Sequence, residues 1–303
     1  VHTGSGVRDA SLAVTVMAWI GVVLVADRAG PHAIGFAAQS GLGVLTWVVL
    51  FVALRRETPL VRAQTAIVVL IATAVEYTFS PLLEVYSYRL GTVPVYVPPG
   101  HGLVYLAALA IGRTAWVQAH RRALVIGTAA ACGGWAVWGI TAAARPDVLG
   151  FIWFLCLLGF LRWGRAPGLY VGAFVVVTWL ELVGTHLGTW AWAPVDPITG
   201  HITQGNPPSG AAGGYGWFDL YAGLWAPALL GAFTRARTSS WSRPFVARKD
   251  PAAVCSTPSS EVTRPPASTM IGINAARSCR ARSGSQATST APSASSMYDQ
   301  KSP

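Results

Sequence analysis

The chain has 303 residues, of which 52% are hydrophobic and only 11% charged, and its formal net charge is +10. A soluble domain carries roughly a quarter charged residues, so this chain lacks the polar surface to be one. An all-α, polytopic bundle of membrane helices is expected instead. The charge is unevenly spread: residues 1–234 hold 12 Arg against 9 Asp/Glu, and the other 10 basic and 3 acidic residues lie in 235–303.

The basic residues flank apolar runs rather than forming a folded basic face, which argues against nucleic acid and for the lipid bilayer as partner. Cys132, Cys156, Cys255 and Cys279 show no paired spacing, so neither a disulfide framework nor a zinc site is indicated.

Apolar runs near bilayer length, roughly 20 residues each, recur with short breaks. They are read at 10–26, 33–54, 64–86, 101–118, 123–143, 148–162, 168–187 and 215–234. These predict eight crossings, the first retained rather than cleaved as a signal peptide. Arg8, Arg55, Arg56, Arg62, Arg113, Arg121, Arg122, Arg162 and Arg165 fall on one side, and Arg28, Arg89 and Arg145 on the other. Because Lys and Arg are retained in the cytoplasm, the expectation is a multi-pass protein of the cell membrane with both termini cytoplasmic. From Ser239 the sequence turns to Ser, Thr, Ala and Pro without an apolar period. A disordered tail over 239–303 is therefore expected, because such a segment buries too little surface to offset its ordering entropy.

The body reads as two four-helix halves, 1–122 and 123–238. Glu76 and Glu181 lie 105 residues apart, the pairs Tyr86/Tyr88 and Trp190/Trp192 104 apart, the diprolines at Pro98 and Pro207 109 apart, and Tyr105 and Tyr215 110 apart. So steady an offset predicts parallel repeats, and membrane proteins often place a site between repeats. Aromatics and prolines are common at membrane boundaries, so the equally placed glutamates carry most of this argument.

A carboxylate within a membrane helix costs about 2.5–3.5 kcal/mol or more on insertion scales, so it usually has a partner or a purpose. Glu76, Glu181 and Asp219 are the candidate catalytic residues. Glu84, His101 and His186 are placed to position groups or relay protons, and Asn206 lies in the long outer loop. Tyr77, Tyr88, Trp179, Trp190, Trp192 and Tyr215 provide aromatic faces at the same level. Each also has a structural reading: Glu84 and Asp219 as interfacial acids, His101 and His186 bonded to loop carbonyls, Glu76 and Glu181 fixing helix packing. No metal is expected, because no His/carboxylate pair sits at ligand spacing on a helix. No organic cofactor is expected, because no phosphate-cradling glycine loop is present.

A carboxylic acid sheltered from water favours its neutral form, and aromatic faces stabilise cations by about 0.5–2 kcal/mol each. That combination suits proton-initiated chemistry on an alkene. The segments ELVGTHLGTWAW and VYSYRLGTVPVYVP point the same way. In their Glu181, Gly184, Gly188, Trp190 and Trp192, and in Tyr86, Tyr88, Gly91, Val93 and Pro94, they resemble the membrane-embedded carotenoid hydratase family. The match covers about a tenth of the chain, and the Asn206-Pro207-Pro208 loop departs from it. The resemblance implies an isoprenoid-modifying enzyme: a cyclase, hydratase or isomerase taking a hydrophobic small molecule. A proton-coupled transporter or carrier, or a non-catalytic lipid-binding membrane protein, is the alternative.

Overall fold

The computed structural model describes residues 3–241, which lie within one compact unit. They form nine helices: α1 Thr3–Ala26, α2 Phe36–Leu54, α3 Pro59–Tyr77, α4 Val97–Arg113, α5 Ala115–Ala119, α6 Arg121–Thr141, α7 Val148–Trp163, α8 Pro167–His186 and α9 Gly213–Trp241. A π-helical turn, Thr78–Leu82, extends α3, and two short strands follow the Glu-bearing helices: β1 Tyr86–Tyr88 and β2 Trp190–Trp192.

Local chemistry explains most boundaries. The Thr58 hydroxyl accepts from Val61 N at 3.3 Å and Pro59 opens α3, a first-turn position where proline costs no hydrogen bond. Asp147 caps α7 through Gly150 N at 3.0 Å, and Pro167 opens α8.

Five helical stretches are long and apolar enough to cross a membrane: Gly6–Ala26, Phe36–Leu54, Pro59–Leu82, Arg121–Thr141 and Pro167–His186. The outer surface agrees, with large apolar side chains such as Val14, Leu70 and Ile126 among the most exposed. By this criterion the chain is a membrane protein, with five qualifying stretches rather than the expected eight. Helices α4 and α7, at 17 and 16 residues, are shorter than a straight span, and α9 opens in Gly-rich sequence and contains Pro227.

Two further expectations need correction. The run 64–86 is not one helix. Pro81 lies in the π-helical turn, and proline cannot continue a regular hydrogen-bond ladder. Glu84 then takes a left-handed φ of 53° to turn the chain into β1. The run 101–118 breaks at Thr114, whose hydroxyl caps α5. The expected all-α class holds, since the described residues are mostly helical, with one small addition: the three-residue strands β1 and β2 pair antiparallel. As for the tail, residues 239–241 continue α9 and the rest lie outside the described residues.

At the centre, α4 lies on α8 while α3 lies on α9. The α4–α8 contact is close because both helices present small residues. A Cβ on Gly172 would meet Ala108 O at 2.4 Å, and one on Gly112 would meet the Gly168 carbonyl carbon at 2.6 Å. Small residues four apart on both partners let membrane helices approach backbone to backbone. Gly172→Ala should therefore cost about 1–3 kcal/mol through overpacking, read as a lowered unfolding midpoint in detergent. An unchanged midpoint would contradict this contact.

Candidate functional site

Strand pairing sets the site. In the β1–β2 register Tyr86 faces Trp192, Ser87 faces Ala191 and Tyr88 faces Trp190. Because side chains alternate along a strand, all four aromatic rings share one face, while Ser87 and Ala191 are exposed on the other. The Tyr86 and Trp192 ring centroids are 4.7 Å apart, and those of Tyr88 and Trp190 6.3 Å apart.

The two glutamates come up beneath this aromatic face. Glu76 Oε2 accepts from the Tyr86 hydroxyl at 2.9 Å and the Tyr88 hydroxyl at 2.7 Å. Its Oε1 is 2.7 Å from His101 Nε2, and His101 Nδ1 is 2.8 Å from the Tyr215 hydroxyl. A neutral imidazole satisfies both contacts by donating from Nε2 and accepting at Nδ1. Burial, and then the charge of Glu76, hold both strand phenols well above their ordinary range, so they remain protonated donors.

Glu181 is held differently. Its Oε2 accepts from the indole nitrogens of Trp190 and Trp192, both at 3.0 Å. Among the described residues Oε1 accepts no hydrogen bond. An indole nitrogen only donates, so this arrangement suits Glu181 with or without a proton on Oε1. Gly184 makes the contact possible, since a Cβ there would lie 1.9 Å from the Trp190 ring.

Both carboxylates line a cavity of about 540 Å³, within the roughly 300–1,000 Å³ range of small-molecule sites. Apolar side chains from α1, α3, α4, α7, α8 and α9 form most of its wall. Of the expected site residues, Glu76, Tyr88, His101, Glu181, Trp190, Trp192 and Tyr215 line this one cavity.

The others lie elsewhere. Asp219 accepts from the hydroxyls of Tyr105 at 3.2 Å and Tyr170 at 3.0 Å, outside the lining. Tyr77 is 54% exposed on the outer face of α3, and Glu84 and His186 are exposed. Trp179 stands against Gly21 of α1. Asn206 Oδ1 accepts the backbone N–H of Trp192 at 3.0 Å, securing that residue from behind the strand.

Sequence reasoning missed the groups that clamp the two loops. Asp27, fully buried, accepts from Gln39 at 2.9 Å and Tyr96 at 2.6 Å, and forms an ion pair with Arg89. Arg89 also donates to the carbonyls of Asp27 and Ile34, so it ties the loop after β1 to the end of α1. In the second half, Arg145 donates to the carbonyls of Gln204 at 2.6 Å and Trp192 at 2.7 Å. Asp147 accepts from Gly205 N and Ser209 N, both at 2.7 Å. The sequence signal was an Asp or Arg at a run's outer end, which is indistinguishable from an ordinary interfacial charge.

No model of a protein family, no curated protein and no solved structure matches this chain. Its function is therefore argued from the site. Among the described residues no group of three or more His, Cys, Asp or Glu could hold a metal ion. What the residues present is a largely apolar-walled cavity lined by two carboxyls with different hydrogen-bonding, faced by aromatic rings.

Proposed function

We propose that this chain is an integral membrane enzyme that protonates an alkene of an isoprenoid or similarly apolar substrate, leading to its cyclisation, hydration or isomerisation. The observation that carries the reading is the Glu181 oxygen that accepts no hydrogen bond among the described residues, on a carboxyl that lines an apolar cavity. Glu181 Oε1 gives its proton to the less substituted alkene carbon. Positive charge then develops at the more substituted carbon, beside the faces of Trp190, Trp192 and Tyr88, which stabilise it through their quadrupoles. Glu76, backed by His101 and Tyr215, takes a proton either from the adjacent carbon or from an attacking water. Direct loss from the adjacent carbon is isomerisation, and loss from bound water is hydration. In cyclisation a second alkene of the same substrate first gives its π pair to the cation, forming the ring bond, and the new cation then loses the adjacent proton. All three are redox-neutral, and the proton gained by Glu76 returns to Glu181 through solvent before the next turnover.

The proposed setting is the cell membrane, with eight crossings and both termini cytoplasmic, as the Arg distribution favours. Helices α1–α4 and α6–α9 are read as parallel repeats. In support, Glu76 with Tyr86 and Tyr88, and Glu181 with Trp190 and Trp192, make the same kind of local contact, and the strands bearing these aromatics pair with each other. The resemblance to carotenoid hydratases agrees with the substrate class.

The test supplies a labelled polyprenyl alkene to membranes containing the chain in deuterated water. A product carrying one carbon-bound deuterium is expected. Proton-dependent uptake without product would replace the enzyme by a carrier.

A further inference from the structure

The cavity is closed on one side and open on another. Where α1, α2 and α8 form its wall, Ile20, Val23, Leu24, Thr46 and Val177 are each at most 6% exposed, and Trp19, Leu180 and Glu181 are half-buried, none of the wall being exposed. Where α9 and the 193–212 loop form it, Trp217 and Tyr221 are each 42% exposed and Ile198 is 55% exposed, although all three line the same cavity.

The open side lies at apolar depth. Gly210, Gly213 and Gly216 descend along α7, where a Cβ on each would meet, in turn, Phe154 N at 2.1 Å, Trp153 O at 2.3 Å and the Phe160 ring at 2.0 Å. Trp217 is thus carried to the level of Phe160, with their rings edge to face at 5.4 Å, well below the outer end of α7. The two ends also differ because the halves are not packed alike. α1 lies on α4 and α8, whereas α6 lies on α7 and α8 instead of repeating that placement on α9 and α3.

The geometry points to one lateral mouth facing the bilayer, bounded by Trp217 and Tyr221 of α9 and by Ile198 of the loop tip, with α1 closing the other side. An elongated apolar molecule enters it end-on. Its leading end reaches the two glutamates while its trailing end stays at the mouth, because α1 blocks threading through. The inference rests on the proposed function only in taking the ligand to be apolar, and its test reads occupancy rather than turnover.

Two short polyprenols, one with a diazirine at the hydrocarbon terminus and one with it at the hydroxyl end, are photolysed with the full chain in lipid nanodiscs, and the labelled peptides are mapped. The leading-end probe is expected on the peptides bearing β1, β2 or His101, and the trailing-end probe on those bearing Trp217, Tyr221 or Ile198. Excess unlabelled polyprenol should remove both signals. A bulky apolar maleimide on a Tyr221→Cys variant should abolish the interior labelling, whereas the same reagent on Val14→Cys, at an outward-facing position of α1, should leave it intact. Competable trailing-end labelling of α1, equal labelling by both probes, blockage from Val14→Cys but not Tyr221→Cys, or no competable labelling would each overturn the single mouth. A labelled mouth with no deuterated product would leave this inference standing and remove only the enzymatic reading.

Discussion

Replacing Glu181 by Gln is expected to lower turnover by about 10²–10⁴-fold, the usual contribution of a positioned general acid, while leaving the protein folded. The geometry makes this substitution selective. The glutamine carbonyl oxygen accepts from Trp190 and Trp192 as Oε2 does at 3.0 Å, and the amide nitrogen takes the place of Oε1, which has no hydrogen-bond partner among the described residues. Only the transferable proton disappears. Deuterium incorporation into the product measures the effect, and a thermal scan in detergent checks that the fold persists. Full activity in the Glu181→Gln variant would remove the proposed acid. Loss of the protein from the membrane would mark the residue as structural instead. Glu76→Gln is not its equal, because an amide would set N–H groups against the Tyr86, Tyr88 or His101 donors now bonded to Glu76. That variant should lose both activity and stability.

The largest effect on stability is expected at the first loop clamp. Arg89→Met leaves the Asp27 carboxylate, whose side chain is 0% exposed, without its cation. Breaking a buried ion pair from one side costs about 3–5 kcal/mol, so the unfolding midpoint should fall more than for any single aromatic substitution at the site. A double variant, Asp27→Leu with Arg89→Met, removes both charges and should recover part of the loss. Gln39 and Tyr96 would then lack their acceptor, which should keep it below the parent protein. An Arg89→Met variant as stable as the parent would show that the pair contributes nothing net. The clamp also bears on the site, since Arg89 follows directly on Tyr88 and its backbone N–H donates to Thr189 O beside Trp190.

The two Glu–aromatic modules were legible because each is local. Glu76 meets Tyr86 and Tyr88 within 12 residues and Glu181 meets Trp190 and Trp192 within 11, so a helix end, a turn and a two-residue strand period bring them together. Their repetition at nearly constant offset pointed to one shared site. His101 was proposed on composition alone, and nothing in its surroundings indicated Glu76 and Tyr215 as its partners. Tyr77 was misplaced for a simpler reason: it follows Glu76 directly in α3, and neighbouring helical residues do not share a face, so an inward Glu76 leaves Tyr77 outward.

The amino-acid sequence by itself determined that this chain forms long apolar helices, where most of them begin, and that two carboxylates are each followed at nearly the same spacing by a pair of aromatic residues. Those features follow from hydropathy, proline and threonine caps, and contacts a few residues apart. The tertiary structure alone decided that both carboxylates line one cavity, that Asp219 stands apart from it with two tyrosines, and that α1 seals one side while α9 leaves another open. These depend on which helix faces lie against one another between segments far apart in the chain, and that choice rests on close contacts such as Gly172 on Ala108 that no local pattern encodes.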